Sequence, residues 1–305
     1  MNTTKPVLVS VVMITYNHEE YIQQAIEGVL MQEFLGEIEL IVSNDCSKDS
    51  TNEVIKNIIK NHPRGSWIKY INHSSNLGMI PNFIYSLKLA KGEYIAFCEG
   101  DDYWTDPLKL QKQIDFLKKN QDYTLSFHRD LILDQRNNDY KVYDEIIREP
   151  EFKDLIQKHF IPSESMVFRN ILTEKDYIML QKAGSGDVCL QLILRKYGKF
   201  HFIDHVMSTY RLTSQGVTSD FTSNYNRIFQ NVLFFGLFSS ESNVHKTVFK
   251  EQMLKQLKIQ LTLISYLTNL QKTKVKLLNL RKLFLVIPGG IIFKINFSLR
   301  YILAK

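Results

Sequence analysis

The chain has few cysteines, no long apolar run and very little acid in its last part. Its three cysteines, Cys46, Cys98 and Cys189, lie far apart in 305 residues. This spacing fits neither a disulfide framework nor a zinc site, so we expect a reducing compartment. No uninterrupted apolar stretch reaches the roughly 18 residues that a membrane-spanning helix needs. Residues 1–6 are mostly polar, which is not typical of a signal peptide, and we therefore expect a cytoplasmic protein.

The charge of the chain is divided unevenly along its length. The formal net charge is +6, but residues 1–220 hold 25 basic and 30 acidic side chains. Residues 221–305 hold 13 basic side chains and only two acids, Glu241 and Glu251. This composition predicts a domain over residues 1–220 and a basic, amphipathic helical region over residues 221–305.

Patterns of buried strands and amphipathic helices alternate over the first hundred residues. Such alternation predicts an α/β fold, with a mostly parallel sheet flanked by helices and joined by right-handed crossovers. The later pattern is weaker, and most of residues 129–160 is expected to be irregular. The predicted strands are 7–15, 38–42, 67–72, 94–98, 123–127, 165–168, 200–203 and 206–211; the predicted helices are 19–32, 50–60, 81–89, 106–120, 152–158 and 188–197.

Polar residues follow three of the predicted strands at the point where each strand ends. They are Thr15-Tyr16-Asn17, Asn44-Asp45 and the stretch Glu99 to Asp102. In open parallel sheets, ligands bind beyond the carboxyl ends of the strands. We therefore expect these three clusters to meet at one edge of the sheet and to form one site.

The stretch Glu99 to Trp104, called the acidic stretch below, carries three carboxylates within four residues. Like charges this close repel each other unless a positive group lies between them. A divalent cation is one answer, because hard metals prefer carboxylate oxygens. A solvated acidic turn is the other interpretation of these residues alone.

Six segments carry motifs in a fixed order along the chain: residues 10–22, Gln32, 38–51, 76–78, 91–104 and 184–187. This ordered set resembles the family 2 glycosyltransferases of the GT-A fold, specifically the bacterial branch that makes surface polysaccharides. The resemblance extends over about residues 7–212 and implies a nucleotide-sugar half at about 1–104 and an acceptor half at about 105–220.

The resemblance implies a site for the donor nucleotide sugar. Asp45 would accept a hydrogen bond from a base N–H, and Asn44 stands where many members have a first Asp. Pro81 stands where relatives often have an Arg that contacts phosphate. The donor-binding residues that the resemblance implies are Thr15, Tyr16, Asn17, Asn44, Asp45, Asn82, Asp101 and Arg211, with a UDP-sugar as the commonest family donor.

The resemblance also implies a metal ion and a catalytic base. Asp101 or Asp102 would bind Mn²⁺ or Mg²⁺, while Glu99 replaces a more common Asp. Asp187 aligns with the family's general base, although the same residue would also cap the following helix. Thr213 falls where a His is expected as a third metal ligand, so the metal geometry is left open.

The predicted function is therefore inverting transfer of a sugar to a hydroxyl of a saccharide or lipid-linked acceptor. Basic residues beside apolar segments between residues 248 and 297 suit an anionic membrane surface, which predicts peripheral association with the inner face of the cell membrane. Helices packed on the catalytic domain are the alternative.

Three other functions compete with this one. A sugar-phosphate nucleotidyltransferase would need a glycine-rich, basic loop after the first strand, and residues 15–18 have neither feature. No recognition motif supports nucleic-acid binding. A catalytically weak relative that only binds nucleotide sugar stays open, given Asn44 and Thr213.

Overall fold

The computed structural model describes residues 9–142, 146–157 and 160–213, and beyond them Asn231, Phe234, Phe235 and Phe238. In chain order its elements are β1 (Val9–Thr15), α1 (Ile22–Leu30), β2 (Ile38–Asn44), α2 (Thr51–Asn61), β3 (Ile68–Asn72), α3 (Met79–Leu89), β4 (Tyr94–Phe97), β5 (Tyr103–Trp104), α4 (Lys109–Lys119), β6 (Tyr123–Asp134), β7 (Asp139–Val142), α5 (Phe152–Gln157), β8 (Val167–Arg169), α6 (Glu174–Leu180), α7 (Gly186–Arg195) and β9 (Lys199–Leu212). Short 3-10 turns lie at Gly65–Trp67 and Ser163–Ser165.

The described residues divide into two compact units. The first contains the described chain up to Glu151, together with 160–173 and 193–213, and it includes every strand. The second contains 152–157, 174–192 and the described residues from Asn231 onward. The predicted domain boundary at residue 220 and the predicted helical region 221–305 lie outside the described residues, apart from Asn231 and three phenylalanines.

The strands of the described residues form one mixed sheet in the first unit. Its order is β3-β2-β1-β4-β8-β6-β9-β5, with β7 paired to β6. The half formed by β3, β2, β1 and β4 is parallel, as the alternation of strands and helices predicts. The other half is not: β8 runs antiparallel to both β4 and β6, whereas β6 and β9 are parallel to each other.

The main apolar core lies between the parallel half of the sheet and the helices that pack on it. Six of the seven residues of β1 and all of β2 are buried, which explains their nearly continuous apolar sequence. Helix α1 packs on this sheet through Ile22, Ala25, Ile26 and Val29, which share one face because they are spaced at i, i+3, i+4 and i+7. This packing holds the strands whose ends form the site.

Several boundaries differ from the sequence prediction. Strand β6 continues to Asp134 because β9, itself one strand over its whole length, pairs with it beyond residue 127. Helix α4 begins at Lys109 rather than at residue 106, because Asp106 and Pro107 form a turn in which Asp106 Oδ1 accepts from Leu108 N at 2.8 Å.

In the part of the chain that the structure describes, no helix is long and apolar enough to cross a membrane. Residues 248–297, whose sequence predicts peripheral membrane association, lie outside the described ranges.

Gly92 supplies a test of the packing between β1 and the turn before β4. Its N–H donates to Ser10 Oγ at 2.7 Å, and a Cβ added at Gly92 would lie 2.5 Å from Ser10 N and 2.8 Å from the carbonyl carbon of Val9. We expect Gly92→Ala to lower the free energy of unfolding by about 1–3 kcal/mol in urea titrations, because the strand backbone cannot give way easily.

Lys91→Ala is the matched control for this substitution. Its side chain is exposed, and the bond that it makes to Glu39 Oε1 comes from the backbone N–H. The control is expected to stay within about 0.5 kcal/mol of wild type. Equal unfolding midpoints for the two variants would contradict the predicted clash.

Candidate active site

The ends of β1, β2 and β4 lie side by side at one edge of the parallel half-sheet. Thr15, the last residue of β1, is in register with Asn44, the last residue of β2, and Asp45 N donates to Thr15 O at 2.9 Å. On the other side of β1, Gly100 N donates to Ile14 O at 3.0 Å. The structure thus brings together the three polar clusters that the sequence places after these strands.

Gly100 allows the acidic stretch to pass very close to the end of β1. A Cβ at this position would lie 2.5 Å from Thr15 Oγ1 and 2.9 Å from His18 Nδ1. Beside it, His18 Nε2 lies 3.9 Å from Asp101 Oδ2, and the Asp101 side chain is 26% exposed. The carboxylate of Asp101 is therefore accessible from solvent at the edge of the sheet.

The loop after β1 is hydrogen-bonded to the loop after β2. Asn17, in a left-handed conformation with φ of 56°, donates its N–H to Ser47 Oγ at 2.9 Å. Its side-chain Oδ1 accepts from Lys48 N at 2.8 Å. Asn17 is therefore engaged in loop structure, whereas Tyr16 between it and Thr15 is 43% exposed.

Asn44 is completely buried and its amide is used at both ends. Its Nδ2 donates to Tyr70 Oη at 3.1 Å, and its Oδ1 accepts from Ser47 N at 3.1 Å. Tyr70 Oη in turn donates its only proton to Asn52 Oδ1 at 2.9 Å, so toward Asn44 the hydroxyl oxygen acts as a hydrogen-bond acceptor. An amide at residue 44 supplies the donor for this bond, and a carboxylate would not. This bond would be lost with an Asp at this position, and the contact of Asn44 with the nucleotide sugar stays a prediction.

Asp45 holds the turn that precedes α3. Its carboxylate accepts from the backbone N–H of Leu77 at 2.6 Å and of Gly78 at 2.9 Å. Gly78 adopts a φ of 89°, which an L side chain rarely adopts, and α3 begins directly after it. Each carboxylate oxygen keeps a further lone pair, so this arrangement is compatible with the predicted bond to a nucleobase.

Asn82 lies behind this loop with only 2% of its surface exposed. Its Oδ1 accepts from Ser43 Oγ at 2.6 Å and lies 3.1 Å from His73 Nε2, and its Nδ2 donates to Ser43 O at 3.1 Å. These contacts connect the start of α3 to the end of β2. Its predicted contact with the donor stays a prediction.

Asp102 differs from Asp101 in being almost completely buried. Its Oδ1 accepts from Arg211 N at 2.8 Å, which anchors the acidic stretch to β9. Burial, followed by the charges of Asp101, Glu164 and Glu99, raises the pKa of Asp102 well above its usual value. The first unit therefore contains a carboxyl group that its protein surroundings do not stabilise as an anion.

Glu164 is a site residue that the sequence does not single out. It lies in the 3-10 turn before β8, fully buried, and one ligand atom each from Glu99, Asp102 and Glu164 lie within 4.8 Å of one another. Burial and the nearby Asp130 and Glu99 raise the pKa of Glu164 well above its usual value. No local pattern reveals this residue, because it is separated from the acidic stretch by more than sixty positions.

A metal ion fits this carboxylate cluster. Both carboxylate oxygens of Glu164 are buried, and no donor among the described residues bonds to them. Carboxylate oxygens are the ligands that Mg²⁺ and Mn²⁺ prefer, and a cation would offset the burial of like charges.

Two further buried groups surround the cluster. Asp130 is 1% exposed, and burial raises its pKa to about 6. Lys109 is fully buried and its pKa is lowered by burial to about 7; its Nζ donates to Gln113 Oε1 at 2.9 Å and lies 4.1 Å from the centroid of the Trp104 ring. The charge of Lys109 acts on Glu164, but its ammonium group is hydrogen-bonded to Gln113 and not to a carboxylate of the cluster.

Arg211 joins β9 to the acidic stretch. Its guanidinium donates to Asp101 O and to Gln24 Oε1, and it lies against the rings of Tyr21 and Tyr103, at 5.3 and 4.3 Å from their centroids. Arg211 is 5% exposed. Its contacts position the backbone around Asp101, and its predicted contact with a diphosphate stays a prediction. Thr213 follows β9 and is partly exposed.

Asp187 belongs to the second unit and is the second residue of α7. The turn before it is held by Asn231, whose Oδ1 accepts from Gly184 N and Ser185 N, both at 3.0 Å. The Asp187 side chain is partly exposed, and its charge is favoured at a helix N-terminus. A base role for Asp187 stays a prediction.

Comparisons with known proteins identify the family. A family model described as "Glycosyl transferase family 2" matches residues 10–176, more than half of the chain. The chain therefore belongs to this family.

Two relatives illustrate its range. An uncharacterized protein of Mycobacterium tuberculosis is 29% identical over 217 residues, which is 68% of this chain and 60% of the relative. The match thus extends over less than two thirds of that relative's length. WfaP of Escherichia coli, named as a UDP-Glc:alpha-D-GlcNAc-diphosphoundecaprenol beta-1,3-glucosyltransferase, is 35% identical over 111 residues, 36% of this chain and 41% of WfaP.

Solved structures show the same fold. Residues 1–349 of S. aureus TarS in complex with UDP-GlcNAc match with a TM-score of 0.65 at 16% identity, covering 92% of this chain and 82% of that one. The mannosyltransferase PcManGT of Pyrobaculum calidifontis, in complex with GDP-Man and Mn²⁺, matches with a TM-score of 0.54 at 13% identity, covering 99% and 86%. The predicted GT-A fold is confirmed.

Asp45 yields a test of how the site is held in shape. Asp45→Asn replaces one acceptor oxygen by an amide NH₂ that faces backbone donors, so one of the bonds from Leu77 or Gly78 is lost. We expect hydrogen exchange at one of these two amides to accelerate about tenfold or more, since losing such a bond costs about 1–3 kcal/mol.

The control is the same substitution elsewhere in this loop. Asp49 accepts from Thr51 N at 3.1 Å and from Glu19 N at 3.0 Å. Asp49→Asn is therefore expected to accelerate exchange at those amides and not at residues 77 and 78. Unchanged exchange at residues 77 and 78 in Asp45→Asn would show that the carboxylate does not hold the turn.

Proposed function

We propose that this member of glycosyl transferase family 2 transfers a sugar, with inversion, from a nucleotide-diphosphate sugar to a hydroxyl of a saccharide or lipid-linked saccharide. The observation that carries the proposal is the meeting of three loops at one sheet edge, with an accessible Asp101 beside buried carboxylates. The product would belong to a bacterial surface polysaccharide.

The donor nucleotide would bind at the loops after β1 and β2. Tyr16 is exposed there, and Asp45 has lone pairs left for a base N–H. A UDP-sugar is the proposed donor. It is supported by the UDP-Glc in the name of WfaP and by the UDP-GlcNAc complex of TarS, whereas PcManGT was solved with GDP-Man.

One of Asp101 and Asp102 would ligate the divalent cation, and the other would hold the ribose of the donor. Asp101 is accessible to a diphosphate, and Asp102 is anchored from β9 by the backbone N–H of Arg211. When bound, Mn²⁺ or Mg²⁺ would act as a Lewis acid that neutralises charge on the departing nucleoside diphosphate.

Asp187 would act as the general base. Its carboxylate would remove the proton of the acceptor hydroxyl as that oxygen forms a bond to the anomeric carbon. The bond from that carbon to the diphosphate oxygen breaks on the opposite face, and the nucleoside diphosphate leaves with the electron pair. The configuration at the anomeric carbon is thereby inverted.

The basic residues of the chain's last part would bring the enzyme to a membrane-bound acceptor. Residues 221–305 carry 13 basic side chains against two acids, and anionic lipid attracts such segments. The name of WfaP specifies an acceptor linked to diphosphoundecaprenol. We therefore propose that the protein associates peripherally with the inner face of the cell membrane.

The transfer reaction can be tested with a panel of nucleotide sugars. UDP-glucose, UDP-GlcNAc and GDP-mannose are each incubated with the protein and Mn²⁺, and release of nucleoside diphosphate is measured with and without EDTA. We expect turnover of a UDP-sugar that EDTA abolishes. If a nucleotide sugar stabilises the protein against heat but is not turned over even when saccharide acceptors are added, the protein would instead be a catalytically weak relative that only binds nucleotide sugar.

Two variants separate the roles of the carboxylates. Asp187→Asn is expected to lower the turnover rate about 10²–10⁴-fold while donor stabilisation persists, because only proton removal is lost. Asp101→Asn is expected to weaken the Mn²⁺-dependent stabilisation by the donor itself. Asp115→Asn, on α4 in the first unit, serves as the matched control. Normal turnover by Asp187→Asn would exclude it as the base.

Membrane association is tested by sedimentation. The intact protein is expected to sediment with vesicles that contain anionic phosphatidylglycerol at low salt, and to be released as salt is raised. Neutral phosphatidylcholine vesicles are the control. If the protein stays in the supernatant with anionic vesicles, the membrane proposal fails and the transfer reaction is unaffected.

A further inference from the structure

We propose that Glu164 is a direct ligand of the divalent cation, which it binds together with Asp102 and Glu99. This inference rests on the proposed function, because it concerns the same metal ion. It supplies the ligand that Thr213 cannot provide, since a hydroxyl is a poor substitute for the imidazole that the family resemblance predicts at that position.

The spacing of the carboxylates suits a common cation. One oxygen from each of Glu99, Asp102 and Glu164 lies within 4.8 Å of the other two. Oxygens that bind one cation at about 2.0–2.6 Å lie at most about 4–5 Å apart. The three carboxylates therefore need only small side-chain movements to bind the same ion.

The Glu164 side chain has no hydrogen-bond partner among the described residues. The residue is fully buried, and neither Oε1 nor Oε2 accepts a hydrogen bond in the part of the chain that the structure describes. Its backbone, in contrast, is firmly held, because Trp104 Nε1 donates to Glu164 O at 3.0 Å. The fold thus holds the backbone of Glu164 beside Trp104, and both carboxylate oxygens are left without a hydrogen-bond donor among the described residues.

The positive groups nearby do not replace a cation. Lys109 Nζ is bound to Gln113 Oε1 and lies over the Trp104 ring, and Arg211 is bound to Asp101 O and Gln24. Neither forms an ion pair with the Glu164 carboxylate. An ionised carboxylate that is buried without a partner is very costly, so this position calls for either a metal ion or a proton.

A shared proton is the competing explanation. Asp130 is also buried and its charge acts on Glu164, so the two carboxyl groups could share one proton as a purely structural pair. The two explanations differ in what Glu164→Gln does to metal binding. An amide replaces a protonated carboxyl group well, but it is a much weaker metal ligand than a carboxylate.

The test is direct Mn²⁺ binding by the intact protein, without donor or acceptor. Binding is followed by calorimetry and by the shift in melting temperature on adding Mn²⁺. We expect Glu164→Gln to raise the dissociation constant of Mn²⁺ at least tenfold and to reduce the Mn²⁺-induced shift. We also expect its metal-free melting temperature to be no lower than that of wild type, because an uncharged amide replaces a protonated carboxyl group well.

Asp130→Asn is the matched control. It removes a buried carboxylate close to Glu164 that does not belong to the three-carboxylate cluster. If direct coordination is what matters, this variant keeps its Mn²⁺ affinity within about threefold of wild type. Equal losses in Glu164→Gln and Asp130→Asn would show that only the general negative field matters and would overturn the inference.

Tb³⁺ luminescence of the wild-type protein provides a second readout. Because Trp104 Nε1 donates to the backbone carbonyl of Glu164, the indole ring lies close to this residue. Tb³⁺ bound at Glu164 should therefore emit when tryptophan is excited, and Mn²⁺ should displace it. Glu164→Asp retains the carboxylate but shortens it, and an intermediate affinity is expected. If Glu164→Gln and Glu164→Asp both bind Mn²⁺ as wild type does, Glu164 is not a ligand.

The outcomes distinguish this inference from the proposed function. Metal-dependent sugar transfer together with unchanged Mn²⁺ binding in Glu164→Gln would leave the function intact and refute the role of Glu164. Loss of Mn²⁺ binding in Glu164→Gln, in a protein that turns over no nucleotide sugar, would support the ligand and refute the function.

Discussion

The parallel pairing of β1 with β2 on one side and β4 on the other is the constraint on which the site depends. Parallel neighbours end at the same edge of a sheet, so the three loops that follow them must share a small volume. The close contact between Gly100 and Thr15 and the hydrogen bonds from Asn17 to the loop after β2 are consequences of this crowding. Hydrogen bonds between the loops after β1 and β2 thus hold part of the site in place.

The carboxylates of the first unit show how function opposes stability. Asp102 and Glu164 are buried beside other acids, with their pKa values raised by burial. Replacing such groups by apolar residues would ordinarily stabilise a fold, so their burial needs a compensating proton or cation. The divalent cation that we propose would meet this requirement.

Two predicted donor-binding residues make contacts with neighbouring protein groups. Asn44, which stands where many members have an Asp, donates its amide to Tyr70 Oη and accepts from Ser47 N in the loop after β2. Arg211, expected to reach the diphosphate, uses its guanidinium to hold the backbone at Asp101. Both residues therefore act on the geometry of neighbouring groups in the structure described, whatever further contacts they make with a donor.

The sequence by itself determined the parallel half of the sheet, the positions of the three polar strand ends and the acidic stretch. These depend on local patterns: β-branched apolar runs, helical periodicity and the residues that stop them. It did not reveal that β9 is one long strand that pairs with β6 up to Asp134, or that Glu164 lies beside Asp102. Only the tertiary structure decided these, because both depend on pairing between segments more than sixty residues apart, which no local periodicity records.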